Sequence, residues 1–161
     1  MKNNFKKIKG FAIVEILIAS TVISVALISL TLATQKAVDL SSISIEKMQS
    51  AFLLSEGAEA VKLIRDNDWS SISTLQEDTT YYLSWSGSSW ATTTTPVASI
   101  SGFTRVLTVS DVYRDGSDDI DPDNSGSVDP DTKLITITVS WNSGGDAFSE
   151  TLPLYLTNLF N

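Results

Sequence analysis

"GFAIVEILIASTVISVALISLTLAT", Gly10 to Thr34, decides how this chain is built. From Phe11 to Thr34 the only ionisable side chain is Glu15. As a helix rising about 1.5 Å per residue, this run extends about 36 Å, enough to cross the hydrocarbon core of a bilayer. Lys2, Lys6, Lys7 and Lys9 precede it with no acid among them, and the first charges beyond it are Lys36 and Asp39. That lysine excess predicts a cytoplasmic N-terminus and an exported remainder. "TLATQKA" offers no A-x-A site, so the run reads as an anchor rather than a cleaved secretory signal. With no cysteine in the chain, lipidation on a thiol and disulfide staples are both excluded.

The formal net charge of −8 conceals an asymmetry. Without the four leading lysines, 7 basic residues stand against 19 acidic ones, and eight of the acids fall between Asp111 and Asp131. A domain this acidic repels phosphate backbones, so direct nucleic-acid binding through a basic face is not expected. Enzymatic chemistry is not expected either, because the chain has no His, no Cys and no recognisable Ser–base constellation.

Beyond Thr34 the pattern becomes amphipathic. Met48, Ala51, Leu54, Ala58, Val61 and Ile64 recur at intervals of three or four, which is one face of a helix, while Lys47, Glu56, Glu59 and Lys62 lie largely outside it. No proline interrupts Phe11 to Arg65, so the anchor (residues 11–34) and the amphipathic segment (35–65) are expected to form one helix of roughly 80 Å, with Gly57 a weak point rather than a stop. "DNDWSS", Asp66 to Ser71, ends it.

The remainder, residues 66–161, reads as strands. "TTYYLSW" and "WATTTT" flank "SGSS" as a hairpin carrying Trp85 and Trp90. In "FTRVLTV" Phe103, Arg105, Leu107 and Val109 alternate with Thr104, Val106 and Thr108, and in "LITITVSW" Ile135, Ile137, Val139 and Trp141 alternate with hydroxyl residues. A last strand around "FSETLPLYL" contains Pro153, which marks an edge or a strand end. The expected fold class is α+β: a long N-terminal helix, membrane-spanning in its first half, packed on a small antiparallel sheet. The helical stripe is expected to bury against Ile135, Ile137 and Val139.

An isolated carboxylate in an apolar span costs on the order of 2.5 to 3.5 kcal/mol and calls for a partner. The short basic leader, Gly10 and then "FAIVEILIA" together resemble the processing signal of the type IV pilin superfamily, which includes the pseudopilins of type II secretion. The resemblance implies that a prepilin peptidase removes residues 1–10 after Gly10 and N-methylates Phe11. Glu15 then becomes the fifth mature residue, where the family carries its assembly glutamate. It also implies partners: the peptidase, an inner-membrane assembly platform and other pilin or pseudopilin subunits. The implied itinerary is a single-pass inner-membrane precursor that becomes part of an extracellular or periplasmic fibre. The new amine on Phe11 lies one helical turn from Glu15, and the pair, within or between subunits, sets axial register. One departure is the absence of proline near Leu32, a site where many pilins kink. "LLSEGAEAVKLIRDNDW" with the later strands is similar to the V-type minor pilins and the I-type pseudopilin, which are priming or tip subunits. The alternative function is a single-pass, membrane-anchored extracytoplasmic binding module outside any fibre, using Trp85, Trp90 and Tyr81 toward sugars or surfaces. Those aromatics are nonetheless expected to pack in the core.

The acidic stretch 111–131 carries oxygen-bearing residues at Asp121, Asp123, Ser125, Ser127 and Asp129, with Gly126 at the sixth position, as in D-x-[DN]-x-[DN]-G calcium loops. Alternate spacing can gather oxygens at about 2.3 to 2.6 Å from a hard cation. Thr132 occupies the twelfth position, where a bidentate acid is usual, so Asp131 or Asp119 would have to complete the set. The other reading is a solvated acidic loop.

Overall fold

A computed structural model describes residues 9–98 and 100–159, with the backbone alone at residues 9–11. Most of the basic leader therefore lies outside the described residues. Helix α1 (Lys9–Asn67) is continuous over 59 residues, as the proline-free sequence predicts. The chain divides into two compact units, the first ending at Ile45 and the second starting at Glu46.

In the first unit, Ile13, Leu17, Val22, Ile28 and Leu32 are all exposed, as are the other large apolar residues between Ile13 and Leu40. This part of α1 is long and apolar enough to cross a membrane. Five of its hydroxyl side chains bond to the helix itself. Ser20 and Thr21 donate to the carbonyls of Leu17 and Ile18, and Ser24, Thr31 and Thr34 donate to those of Ser20, Leu27 and Leu30. In lipid such back-bonding removes the cost of an unpaired hydroxyl.

The second unit is an α+β head. It comprises the rest of α1, the short α2 (Ser70–Ser73), a hairpin of β1 (Tyr82–Trp85) with β2 (Trp90–Thr93), and a sheet of order β3-β4-β5. Those three strands are β3 (Thr104–Arg114), β4 (Ser127–Ser143) and β5 (Asp146–Thr157), all antiparallel. Two backbone bonds between Tyr81 and Leu107, 2.9 and 2.8 Å, tie the hairpin to β3. Pro153 sits on β5, an edge strand, where a missing N–H is tolerated.

Alternation assigns the two faces of the main sheet. One face places Leu107, Ile137 and Leu152 in a row, with Val109, Ile135 and Leu154 beside them and Phe103, Trp141 and Phe148 at the end. The other carries rows such as Thr104, Ser140, Ser149 and Val106, Thr138, Thr151. Ile135, Ile137 and Val139 are completely buried, and each contributes about 1.5 to 3 kcal/mol of transfer free energy.

The face of α1 that covers the core is rotated from the expected stripe. Ser50, Leu54, Gly57, Ala58, Val61 and Ile64 are buried, whereas Met48 and Ala51 are exposed. At about 100° per residue Met48 stands half a turn from Gly57, and Ala51 lies at the border of the buried face. The buried Ser50 hydroxyl donates 2.9 Å to the Lys47 carbonyl, which lets a small polar residue stand inside. Polar anchors flank the face: the Trp141 indole N–H donates to Glu46 at 3.2 Å, and Lys47 lies 3.8 Å from Glu150.

Gly57 is a point of close helix–sheet approach, and the helix runs through it. A β-carbon there would stand 3.2 Å from both the Arg105 stem and Ile137 Cγ2. Arg105, 8 % exposed, donates to the Leu53 carbonyl at 3.0 Å and to the Glu56 carboxylate at 3.2 Å, so its stem has little freedom to withdraw. Gly57→Val should destabilise the head by about 1 to 3 kcal/mol through overpacking. Thermal unfolding should show a drop of roughly 5 °C or more, and an unchanged melting temperature would mean that the helix does not sit this close to β4.

Candidate functional site

Three places in the chain carry functional potential, and the first is the start of α1. Gly10 and Phe11 lie in its first turn, and Glu15 follows on an exposed position beside Val14, Ile18 and Ala19. Among the described residues Glu15 makes no ion pair, and its surroundings are apolar side chains of its own helix. In lipid or against another apolar helix a carboxylate so placed gains from any cation brought within a helical turn.

The second place is the acidic stretch, which is shorter as a loop than expected. β3 continues to Arg114 and β4 begins at Ser127, so only residues 115–126 connect them. Of the five expected calcium ligands, Asp121, Asp123 and Ser125 lie in this loop, whereas Ser127 and Asp129 belong to β4 and pair with Arg114 and Val112. The sequence hid this extension because Asp, Pro and Ser are poor strand formers. Here the ladder register jumps from Asp111–Lys133 to Val112–Asp129, and Pro130 falls in the irregularity, where it removes no ladder bond. Asp111 and Lys133 form an ion pair beside it.

Several carboxylates of this stretch are engaged by the protein itself. Asp115 Oδ1 accepts from the N–H groups of Ser117 and Asp119 at 2.7 and 3.1 Å. Asp121 accepts from the backbone of Asp123, Ser125 and Gly126 at 2.8 to 2.9 Å and from the Ser125 hydroxyl at 2.8 Å. Arg114 donates to Asp129 at 2.6 Å and to the Asp118 carbonyl at 2.8 Å. The Ser125 hydroxyl and then the Asp123 N–H hold the Asp121 carboxyl below its ordinary range. Burial alone would raise Asp129, but bonds from Arg114, Thr132 and Asp131 outweigh it and the net shift is downward. Arg114 is raised in turn, chiefly by Asp129. Gly126 has its own explanation: a β-carbon there would lie 2.0 Å from the Arg114 carbonyl oxygen, so the loop base closes only over glycine.

Among the described residues no three acidic side chains are grouped as a cation needs. Of the expected ligands, Asp129 is bonded to Arg114 and Asp121 to the N–H groups of its own loop.

The third place is the β1–β2 hairpin. Tyr81 is buried in the core, as expected, and its hydroxyl accepts from the Gln76 N–H at 2.9 Å. Trp90 is partly buried against the same core, and the Arg105 guanidinium lies 5.7 Å from its ring centroid. Trp85 departs from the expectation of core packing: it is 54 % exposed at the end of β1, opposite Trp90. Alternation places Trp85 on the core face with Leu83, but it stands at the last pair before the turn, where the core has ended, and is exposed for that reason.

The loop account makes two solution predictions. Both depressed carboxylates contribute stability that is present above the ordinary carboxylate range, near pH 4, and lost as pH falls through their lower folded values. Melting temperature should therefore be flat between about pH 7 and 5 and decline below about pH 4, with a shallower acid decline in Asp121→Asn. At neutral pH, Gly126→Ala should lower the melting temperature, and melting that coincides in calcium and in chelator would show a solvated acidic loop. A rise of several degrees in calcium, abolished by Asp123→Ala, would instead show a cation drawn between these carboxylates.

Comparison with known proteins returns no match: no family description, curated protein or solved structure matches this chain.

Proposed function

We propose that this protein is a structural subunit, of the minor pilin or pseudopilin kind, of a type IV pilus-like or type II secretion fibre. The observation that carries the proposal is the conjunction at the N-terminus: a lysine-rich leader, the Gly10–Phe11 junction, Glu15 four residues on, and an uninterrupted apolar helix. Support comes from the way that helix continues into a small antiparallel head, the layout such subunits require. A fibre subunit has to live in two environments. Its apolar segment is held first by lipid and then by the same segments of neighbouring subunits, while the head folds outside on its own core.

In this reading the peptidase cuts after Gly10 and methylates Phe11, and Glu15 meets the new amine within its own chain or on a neighbour. Loss of that pair leaves an uncompensated charge in an apolar setting, which penalises misaligned subunits more than aligned ones. The head supplies the surface met by partners, and the chemistry is assembly rather than catalysis.

Two substitutions test it in cells that assemble the fibre. Gly10→Val should leave the precursor unprocessed in the inner membrane, and maturation at the normal rate would overturn the peptidase assignment. Glu15→Ala should be processed and fold normally in its head yet be depleted from sheared fibres by tenfold or more, on the order of 1.4 kcal/mol per subunit. Incorporation at the wild-type level would remove Glu15 from assembly.

A further inference from the structure

A groove of about 390 Å³ runs between the end of α1 and the β1–β2 hairpin, within the head. Its walls are Leu63, Asp66 and Asn67 on the helix and Trp85, Trp90 and the turn serines on the hairpin. We propose that this groove binds a neutral saccharide, stacking a sugar ring on the Trp85 indole, and that it does so whether or not the head is carried on a fibre.

Exposed apolar surface here is concentrated in two side chains, Trp85 at 54 % and Leu63 at 57 %. An indole left open to solvent beside a groove is a costly arrangement for a head that buries Tyr81, Phe103 and Trp141. The open ring is also held in place. Trp85 packs on Trp90 with centroids 5.3 Å apart and planes tilted by 52°, and Trp90 is fixed from within by Arg105. Arg105 is itself anchored on Leu53 and Glu56. A preformed platform costs little ordering free energy when a ligand arrives.

The groove's polar lining selects among ligands. Asp66, Asn67, Ser88 and Ser89 place carboxylate, amide and hydroxyl groups around the indole, suited to the many hydroxyls of a sugar, whose C–H face suits the ring. Anions are disfavoured, since the adjacent cation, Arg65, is bound to Asp66 at 2.7 Å. Organic cations are disfavoured as well: Asp66 is already neutralised by Arg65, and the two indoles touch each other rather than leaving a slot between them. The Arg65 contact uses Asp66 Oδ1, and among the described residues no donor takes Oδ2, which is available to a ligand hydroxyl. The volume lies in the range of small-molecule sites.

The test is a titration of the detergent-solubilised full chain with cellobiose, lactose and di-N-acetylchitobiose, with tetramethylammonium and inorganic phosphate as comparison ligands, read by tryptophan fluorescence. At least one disaccharide should give a saturable change with a Kd near or below about 1 mM. Trp85→Ala should weaken that binding by about tenfold or more while the head still melts cooperatively, a few degrees lower for loss of the Trp85–Trp90 contact, and Trp85→Phe should retain most of it. Saturation by tetramethylammonium or phosphate alone, no response to any of the three sugars, or sugar binding that survives Trp85→Ala would each overturn the proposal.

Discussion

The head depends on how closely α1 approaches β4. At Gly57 the helix backbone comes near enough for Ile137 and the Arg105 stem to fill the space a side chain would take, and this seals Ile135, Ile137 and Val139 from solvent. Other features hang from that contact. Arg105 reaches through it to cap the Leu53 carbonyl and meet Glu56, and its guanidinium in turn supports Trp90 and the hairpin. With no disulfide available, this packing has to hold the head together by burial and by satisfied polar groups, and among the described residues no buried side-chain polar atom lacks a partner.

The two units of the chain obey different solvents. Between Ile13 and Leu40 the helix exposes its large apolar residues and bonds five of its hydroxyls to its own carbonyls, which suits hydrocarbon or other helices. From Glu46 onward the same helix alternates a buried face with charged residues and belongs to a water-soluble core. Glu15 breaks the rule of the first unit, and an assembly partner for it gives the exception a physical reason. The acidic connection between β3 and β4 follows a third logic: Asp115 and Asp121 accept from backbone N–H groups of the loop, and Arg114 bonds Asp129 beside it, so local bonds rather than a core hold it.

Much of the fold was legible in the residues. The absence of proline from Phe11 to Arg65, the alternation in "FTRVLTV" and "LITITVSW", and the turn in "SGSS" each state a local geometry that tertiary packing left intact. Less legible was anything set by distance between elements. The choice of Ser50 over Met48 for the buried face depends on where the sheet lies, and the requirement for Gly126 depends on the Arg114 carbonyl across the loop. The calcium-like spacing is open to two readings, because alternate oxygens are also what a chain entering a strand presents, and Ser127 and Asp129 lie in β4. Trp85 looked like core because aromatic residues usually are, whereas its exposure follows from its place at the last pair before the turn.

The central claim, that this chain is a processed fibre subunit, is tested most directly by the intact mass and N-terminal sequence of the mature protein from its own cells. The account predicts a chain that begins at Phe11 with a single added methyl group on its amine, leaving Glu15 as the fifth residue. A mature protein that still begins at Met1, formylated or not, would contradict it and leave a membrane-anchored binding module.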